Sequence, residues 1–311
     1  MARVIHVLTG CTAVGKTDLA LRWAETNGAE IVSCDSLLFY RGMDIGTAKP
    51  SRAELARVPH HLIDVRAVTE AMDVTQYVTR ARAAVAEIHA RGRAVLVTGG
   101  SGFYLKSFFA PVADGVEVGA AIRDAVRTRL DREGLAPLVA ELHRLNPAGL
   151  GALDVMNPRR VTRALERCLA TGRTLAVLLA EFGAQPAPFA DYEVRFCELV
   201  RDKSEMDPRI STRVDSMLRA GLVAEVRELV AQGLKGNPSA AMAIGYRETI
   251  DFLEGRIAEG ELPVAIVKST QALVKKQRTW FKTQLPAHAP MEADSAAVGS
   301  LFVPPVQPER D

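Results

Sequence analysis

Residues Gly10-Cys11-Thr12-Ala13-Val14-Gly15-Lys16-Thr17 follow the spacing G-x-x-x-x-G-K-[ST]. Glycines at the two ends let the backbone wrap so that its N–H groups point at phosphate oxygens. Lys16 adds a mobile cation, and the Thr17 hydroxyl can ligate Mg²⁺. Such a loop needs a strand leading in and a helix leading out, because the helix N-terminus adds its partial positive charge. Both are present. Residues 4–8 read as a buried strand, and 17–27 as a helix with Leu19, Ala20, Trp23 and Ala24 on one face, stopped by Gly28. The loop alone does not distinguish ATP, and hence a nucleotide site, from another diphosphate-bearing ligand.

A second candidate is Asp35, just beyond a strand over 30–33. In open α/β sheets ligands gather at that edge. A carboxylate there accepts a proton or orients a nucleophile, or else it caps the following turn together with Ser36. Residues 40–50 carry charge and glycine without helix or strand periodicity, so they read as a functional loop. P-loop ATPases usually place an Asp after an apolar strand to hold the metal. Here Val95-Leu96-Val97 runs into Thr98-Gly99-Gly100. That leaves Asp35 and Asp64 as the carboxylates available to a cation. His60 and His61 lack metal-ligand partners at the usual spacings and read as structural.

These residues require parallel βαβ units. Strand signals over 4–8, 30–33 and 94–98 alternate with helical stretches, including 78–90, and a strand over 193–200 rejoins the sheet. Between 116 and 182 no segment reads as a strand, whereas 121–130, 138–145 and 158–170 read as helices. Further helices are expected over 209–220, 223–231 and 264–282. The expected fold is therefore an α/β, P-loop NTPase-like parallel sheet flanked by helices. A core of 1–115 and 186–285 carries a helical insertion over 116–185, and 286–311 reads as a flexible tail poor in large apolar residues.

Composition bounds the rest. The 311 residues are 48% hydrophobic and 24% charged, a globular balance. At about 150 residues per domain the length allows roughly two domains. No apolar run approaches the roughly 18–20 residues of a membrane span, and 4–8 is too short for a signal-peptide core. The cysteines Cys11, Cys34, Cys168 and Cys197 are widely spaced, which fits a reducing cytoplasm and argues against a zinc site. A net charge of +2 neither demands nor excludes a nucleic-acid partner. Its distribution is more informative. Residues 158–173 hold five arginines (Arg159, Arg160, Arg163, Arg167, Arg173) against one acid, Glu166. Asn157 and Pro158 suit a helix start. Arg160, Arg163 and Arg167 share one helical face, opposite Val161, Leu165 and Cys168. This reads either as a phosphate-backbone contact or as a solvated amphipathic helix. Aromatic residues are only 5%, so a flat stacking surface for single strands is not expected.

The phosphate loop, Cys34-Asp35-Ser36, residues 40–50, His60-His61-Leu62-Ile63-Asp64 and Gly99-Gly100-Ser101-Gly102-Phe103-Tyr104-Leu105 together resemble the bacterial tRNA dimethylallyltransferases, the IPP transferase family. Residues 160–166, 209–226, Ala243-Ile244-Gly245-Tyr246-Arg247-Glu248 and 275–280 continue the resemblance, which covers roughly residues 4 to 285 in order. It implies transfer of a dimethylallyl group from dimethylallyl diphosphate to N6 of the adenosine just 3′ of a tRNA anticodon. It implies Asp35 as the base at N6, with Ser101 and Arg213 as further catalytic groups. The diphosphate would lie on Gly10 to Thr17 and Arg209, with Mg²⁺ at Thr17. The anticodon stem-loop would meet Asp35, Ser36, Leu37, Leu38, Ser101, Arg123, Arg159, Arg160, Val161, Thr162, Arg163, Met242, Ala243, Ile244, Gly245, Tyr246, Arg247, Lys275, Lys276, Gln277 and Arg278. The alternative for Arg209 and Arg213, four apart on one helix, is a solvated face paired with acids such as Asp215.

The chain departs from the family pattern at Cys11 and Val14, where Pro and Ser are usual, and at Ser101, where Thr is usual. Asn157 and Arg159 stand where Asp and Gln are common. No Cys/His set follows residue 285, so the zinc module of eukaryotic relatives is not expected, and the protein is expected to act as a monomer. Three other readings compete. A free-nucleotide isopentenyltransferase would not need the insertion. A small-molecule kinase would want the missing strand-end Asp. A nucleotide-dependent RNA-binding switch would make no covalent product.

Overall fold

The computed structural model describes residues 3–294 and 296–302. The chain divides into two compact units, one comprising the residues up to Ala110 and those from Pro188 onward, the other Pro111–Ala187. The first unit begins with β1 (Val4–Gly10), α1 (Lys16–Asn27), β2 (Ala29–Ser33), α2 (Arg52–Arg57), β3 (His60–His61), α3 (Val74–Ala90), β4 (Ala94–Gly99) and α4 (Gly102–Lys106). The second holds α5 (Ala120–Glu133), α6 (Leu135–Leu145), α7 (Pro158–Thr171) and α8 (Leu175–Gly183). The first unit resumes with β5 (Glu193–Val200), α9 (Lys203–Arg219), α10 (Leu222–Ala231), α11 (Pro238–Ala241), α12 (Tyr246–Leu253), α13 (Leu262–Gln284) and β6 (Met291–Glu292).

The six strands form one parallel sheet in the order β3-β2-β4-β1-β5-β6. A parallel sheet buries both faces. Ile5, Val7, Leu8, Val32, Val95, Leu96 and Val97 are accordingly enclosed. The chain leaves β1 toward β2 on one side and leaves β4 toward β5 on the other. The crevice at the carboxyl ends of β1 and β4, where the path diverges, is the place for a ligand. Glycine is mandatory at its floor, since a Cβ on Gly99 would collide with the Cys34 carbonyl group.

In the second unit α7 begins as its sequence predicts. The Asn157 side chain accepts from the Arg160 N–H at 3.2 Å, and Pro158 occupies the first turn. Val161, Leu165 and Cys168 pack inward with Val126, Leu138 and Leu142. In the first unit α9 starts earlier than the expected 209, at Lys203, because Asp202 caps it through the Ser204 N–H. Arg209 and Arg213 therefore sit inside a helix rather than at its start.

The predicted frayed tail is corrected as far as residue 302. Met291–Glu292 pairs with β5. The His288 imidazole meets the Glu198 carboxylate at 2.6 Å, and Arg201 meets Asp294 at 2.6 Å. Leu301 is buried, and the Phe302 ring turns its edge to Trp23 with centroids 5.2 Å apart. An uncovered edge strand invites mispairing, and this segment covers β5. Its apolar residues are few, but they fall where the sheet edge and α1 need them. Residues 303–311 lie outside the described residues. Leu301→Ala is expected to cost about 2–5 kcal/mol of unfolding free energy, read by denaturant titration. A frayed tail would leave the midpoint unmoved.

Candidate active site

The phosphate loop fills the turn between β1 and α1. Gly15, at φ 109°, caps α1 without a side-chain hydrogen bond, so the first helical N–H groups stay open to an anion. Lys16 Nζ donates to the carbonyls of Gly10 (2.7 Å) and Cys11 (2.9 Å). Three more side chains hold the loop from outside. Arg209 Nε donates to Ala13 O at 2.8 Å and Arg201 Nε to Val14 O at 3.3 Å. Gln277 accepts from the Thr12 N–H at 3.0 Å and donates to Gly100 O at 2.9 Å.

A cavity of about 670 Å³ opens beside this loop. Its wall combines Lys16, Thr17, Asp35, Arg209 and Arg213 with Ile31, Leu38, His60 and Ile63. Asp35 Oδ1 accepts from the Leu37 N–H at 3.0 Å, so the carboxylate caps its turn and also faces the cavity. Burial lowers the Lys16 ammonium to about 8, while Asp35 pulls it back upward. Burial lowers Arg213 as well, again opposed by Asp35. Arg213 Nη2 donates to Thr47 O at 3.2 Å. Both arginines face the cavity and bond to loop carbonyls instead of Asp215, which removes the solvated-face alternative.

The cation candidates separate. Asp64 is committed to Lys49 at 2.5 Å and is withdrawn as a metal ligand. Thr17 is exposed to the cavity, and its hydroxyl makes no hydrogen bond among the described residues. No group of three or more His, Cys, Asp or Glu able to hold an ion occurs among the described residues. A Mg²⁺ ion would thus rely on Thr17, ligand oxygens and water, a donor set that suits an ion accompanying phosphates. His61 meets Glu30 at 2.7 Å, and Arg91 meets the same carboxylate at 2.7 Å. His60 is fixed by Val58 O at 2.7 Å.

Ser101 has a different duty from the one expected. Its Oγ accepts from the Ser36 N–H at 2.9 Å and donates to Ser36 Oγ at 3.1 Å. It does not line the cavity; it fixes the turn that carries Asp35.

The residues expected to meet tRNA divide by exposure. Arg159, Arg160, Arg163, Met242, Lys275 and Lys276 are exposed, and Ser36, Leu37, Leu38 and Ile244 are half-buried. Val161, Ala243 and Tyr246 are core residues, and Gly245 is buried with its N–H on Glu248 at 2.8 Å. Gln277 braces two loops, and Arg278 donates to Arg201 O at 2.7 Å. Arg247 is held by Glu248 and Ser269, Arg123 by Val118 O, and Thr162 by Arg159 O. Arg167 is drawn off the arginine face into a half-buried pair with Asp114. Sequence reasoning missed Gln277 as a brace and missed Glu225, described below. Both act on loops far away in the chain, and no local pattern marks either.

Fold and site define an α/β P-loop protein whose strand-end cavity suits a diphosphate next to a carboxylate. The chain belongs to the IPP transferase family, whose model matches residues 38–284. It is 64% identical to the tRNA dimethylallyltransferase of Opitutus terrae over 93% of both chains. It is 41% identical to that of Deinococcus radiodurans over 92% of both. Among solved structures it is similar to the tRNA delta(2)-isopentenylpyrophosphate transferase of Staphylococcus epidermidis (TM-score 0.66, 28% identity, 96% of both chains). No helix among the described residues is long and apolar enough to cross a membrane.

The lowered Lys16 value sets a pH dependence. The ligand-free protein carries this charge below about pH 8 and loses it above. Affinity for an alkyl diphosphate, itself ionised at neutral pH, is expected to hold up to that point and then fall, as measured by calorimetry. An affinity flat through this range would take Lys16 out of phosphate binding.

Proposed function

We propose that the protein transfers the dimethylallyl group of dimethylallyl diphosphate to N6 of the adenosine 3′ of the anticodon in tRNA. The observation that carries this is the placement of Asp35 in one cavity with Lys16, Thr17, Arg209 and Arg213. The adenine amine is a weak nucleophile because its lone pair is delocalised into the ring. It needs an acceptor for its proton and an electrophile with a stabilised leaving group. As the N6–C1 bond forms, the C1–O bond to diphosphate breaks and the N6 proton passes to the Asp35 carboxylate. Lys16, Arg209, Arg213 and the loop N–H groups hold the departing negative charge. Mg²⁺ at Thr17 would supply further neutralisation of that diphosphate.

The base must leave its stack to reach this cavity. In a partly stacked anticodon loop that costs a few kcal/mol at most. The exposed Arg159 and Arg160 at the start of α7 suit the tRNA backbone, as do Lys275 and Lys276 on α13. A cytoplasmic location, where its tRNA substrate would be met, fits this reading.

The test is mass spectrometry of nucleosides from unmodified tRNA incubated with protein, Mg²⁺ and dimethylallyl diphosphate. One C5H8 gain on the adenosine 3′ of the anticodon is expected. Asp35→Asn keeps an oxygen for the Leu37 N–H but not the base, so turnover should fall about 100- to 10,000-fold. A wild-type rate in that variant would leave Asp35 a turn cap, and prenylated free adenylate or ATP consumption would replace the reading altogether. A second variant, Arg159→Ala with Arg160→Ala, should raise KM for tRNA and leave kcat near wild type. The slope of log affinity against log salt should fall by about one for each phosphate that an arginine no longer neutralises. An unmoved KM makes this a solvated helix.

A further inference from the structure

The loop after β2 forms one wall of the cavity through Thr47, Ala48 and Pro50, yet it has no regular secondary structure. A carboxylate on α10 holds its 44–46 turn. Glu225, in the first turn of α10, accepts from the N–H groups of Asp44 (3.2 Å) and Ile45 (2.7 Å) on Oε2. Its Oε1 accepts from the Gly46 N–H (3.3 Å) and the Tyr246 hydroxyl (2.6 Å). Successive backbone N–H groups converging on one point form an anion nest, here filled by a side chain of the protein itself. Burial and the neighbouring Glu225 hold the Tyr246 phenol protonated, so it can only donate to that carboxylate. Gly46 permits the arrangement, because a Cβ there would stand 2.5 Å from the Tyr246 ring. Lys49 closes the far end through Tyr40 O (2.9 Å), Asp44 (2.5 Å) and Asp64 (2.5 Å). Between these anchors the loop offers Thr47 O to Arg213.

We propose that Glu225, seated on Tyr246, is a positioning residue that presents the 44–50 loop to Arg213 and thereby sets the arginine for the diphosphate. The proposal rests on the reading of Arg213 as a diphosphate ligand. Tyr246 itself thus serves the site from inside the core.

Glu225→Gln preserves volume but replaces one acceptor oxygen with an amide N–H₂, which meets backbone N–H donors that it cannot satisfy or at best the lone pair of the Tyr246 hydroxyl. The readout is calorimetric affinity for inorganic diphosphate at one neutral pH, for wild type, Glu225→Gln, Arg213→Ala and the double variant. Each single change should weaken binding about tenfold, and the double variant should also lose about tenfold rather than a hundredfold, since both changes disable one arginine. A role confined to fold stability would give independent, multiplying losses or no loss at all, and either would overturn the proposal. Should Glu225→Gln fail to fold, Tyr246→Phe removes one donor of the four. It should weaken diphosphate about threefold in a protein that remains folded, and unaltered affinity would overturn the proposal equally. Binding is read without tRNA. A wild type that binds diphosphate but does not prenylate tRNA would sink the functional reading while leaving this test in force.

Discussion

The cations of the cavity are bonded to carbonyl oxygens, not to carboxylates, and the rest of the site follows from that choice. Lys16 bonds Gly10 O and Cys11 O, Arg209 bonds Ala13 O, and Arg213 bonds Thr47 O. Elsewhere arginines pair with acids, as Arg57 with Glu25 and Arg82 with Asp191. A carbonyl satisfies an N–H without cancelling its charge, so these three cations keep their charge available to a ligand while their donors stay partnered. Burial penalises that charge, visibly at Lys16 and Arg213. Asp35 is the acid whose charge relieves both. An anion bound among these cations would add counter-charge and stabilise the folded form in proportion to its affinity.

Such a site needs carbonyls fixed in place, and irregular loops do not fix themselves. The side chains that do so come from distant parts of the chain. Gln277 on α13 joins the phosphate loop to Gly100, Ser101 locks the turn of Asp35, and Glu225 on α10 holds the 44–46 turn. The sheet sets where the loops begin, and the helices that follow β5 set how they end. Gly99 completes the arrangement by letting β4 pass against Cys34 O, which brings the Asp35 turn and the Ser101 turn within hydrogen-bonding range.

What the sequence disclosed was local. The phosphate loop, the strand–helix alternation and the Asn157 cap depend on residues a few positions apart, and each is present in the structure. The exposed start of the arginine helix was legible for the same reason. Interactions across long stretches of chain were not. Helical spacing placed Arg167 on the face of Arg160 and Arg163, but spacing gives an angle and not a neighbour, and Asp114 claims that guanidinium. Tyr246 lies in a motif that reads as a contact surface, yet its hydroxyl is used by Glu225. The sparse apolar residues after Pro286 look insufficient for a core because nothing local shows that β5 and α1 await them.

The two unusual loop residues bear on the same charges. Cys11 and Val14 are both buried in the core of the first unit, with Cys11 Sγ 3.8 Å from Val274 O. Their side chains face the protein, whereas the backbone and Lys16 serve the ligand. A thiolate at position 11 would subtract from the positive charge that the loop concentrates. Burial instead raises the Cys11 thiol above its ordinary value, against the pull of Lys16 and Arg278, and keeps it neutral. The cysteine at position 11 therefore adds no negative charge beside Lys16.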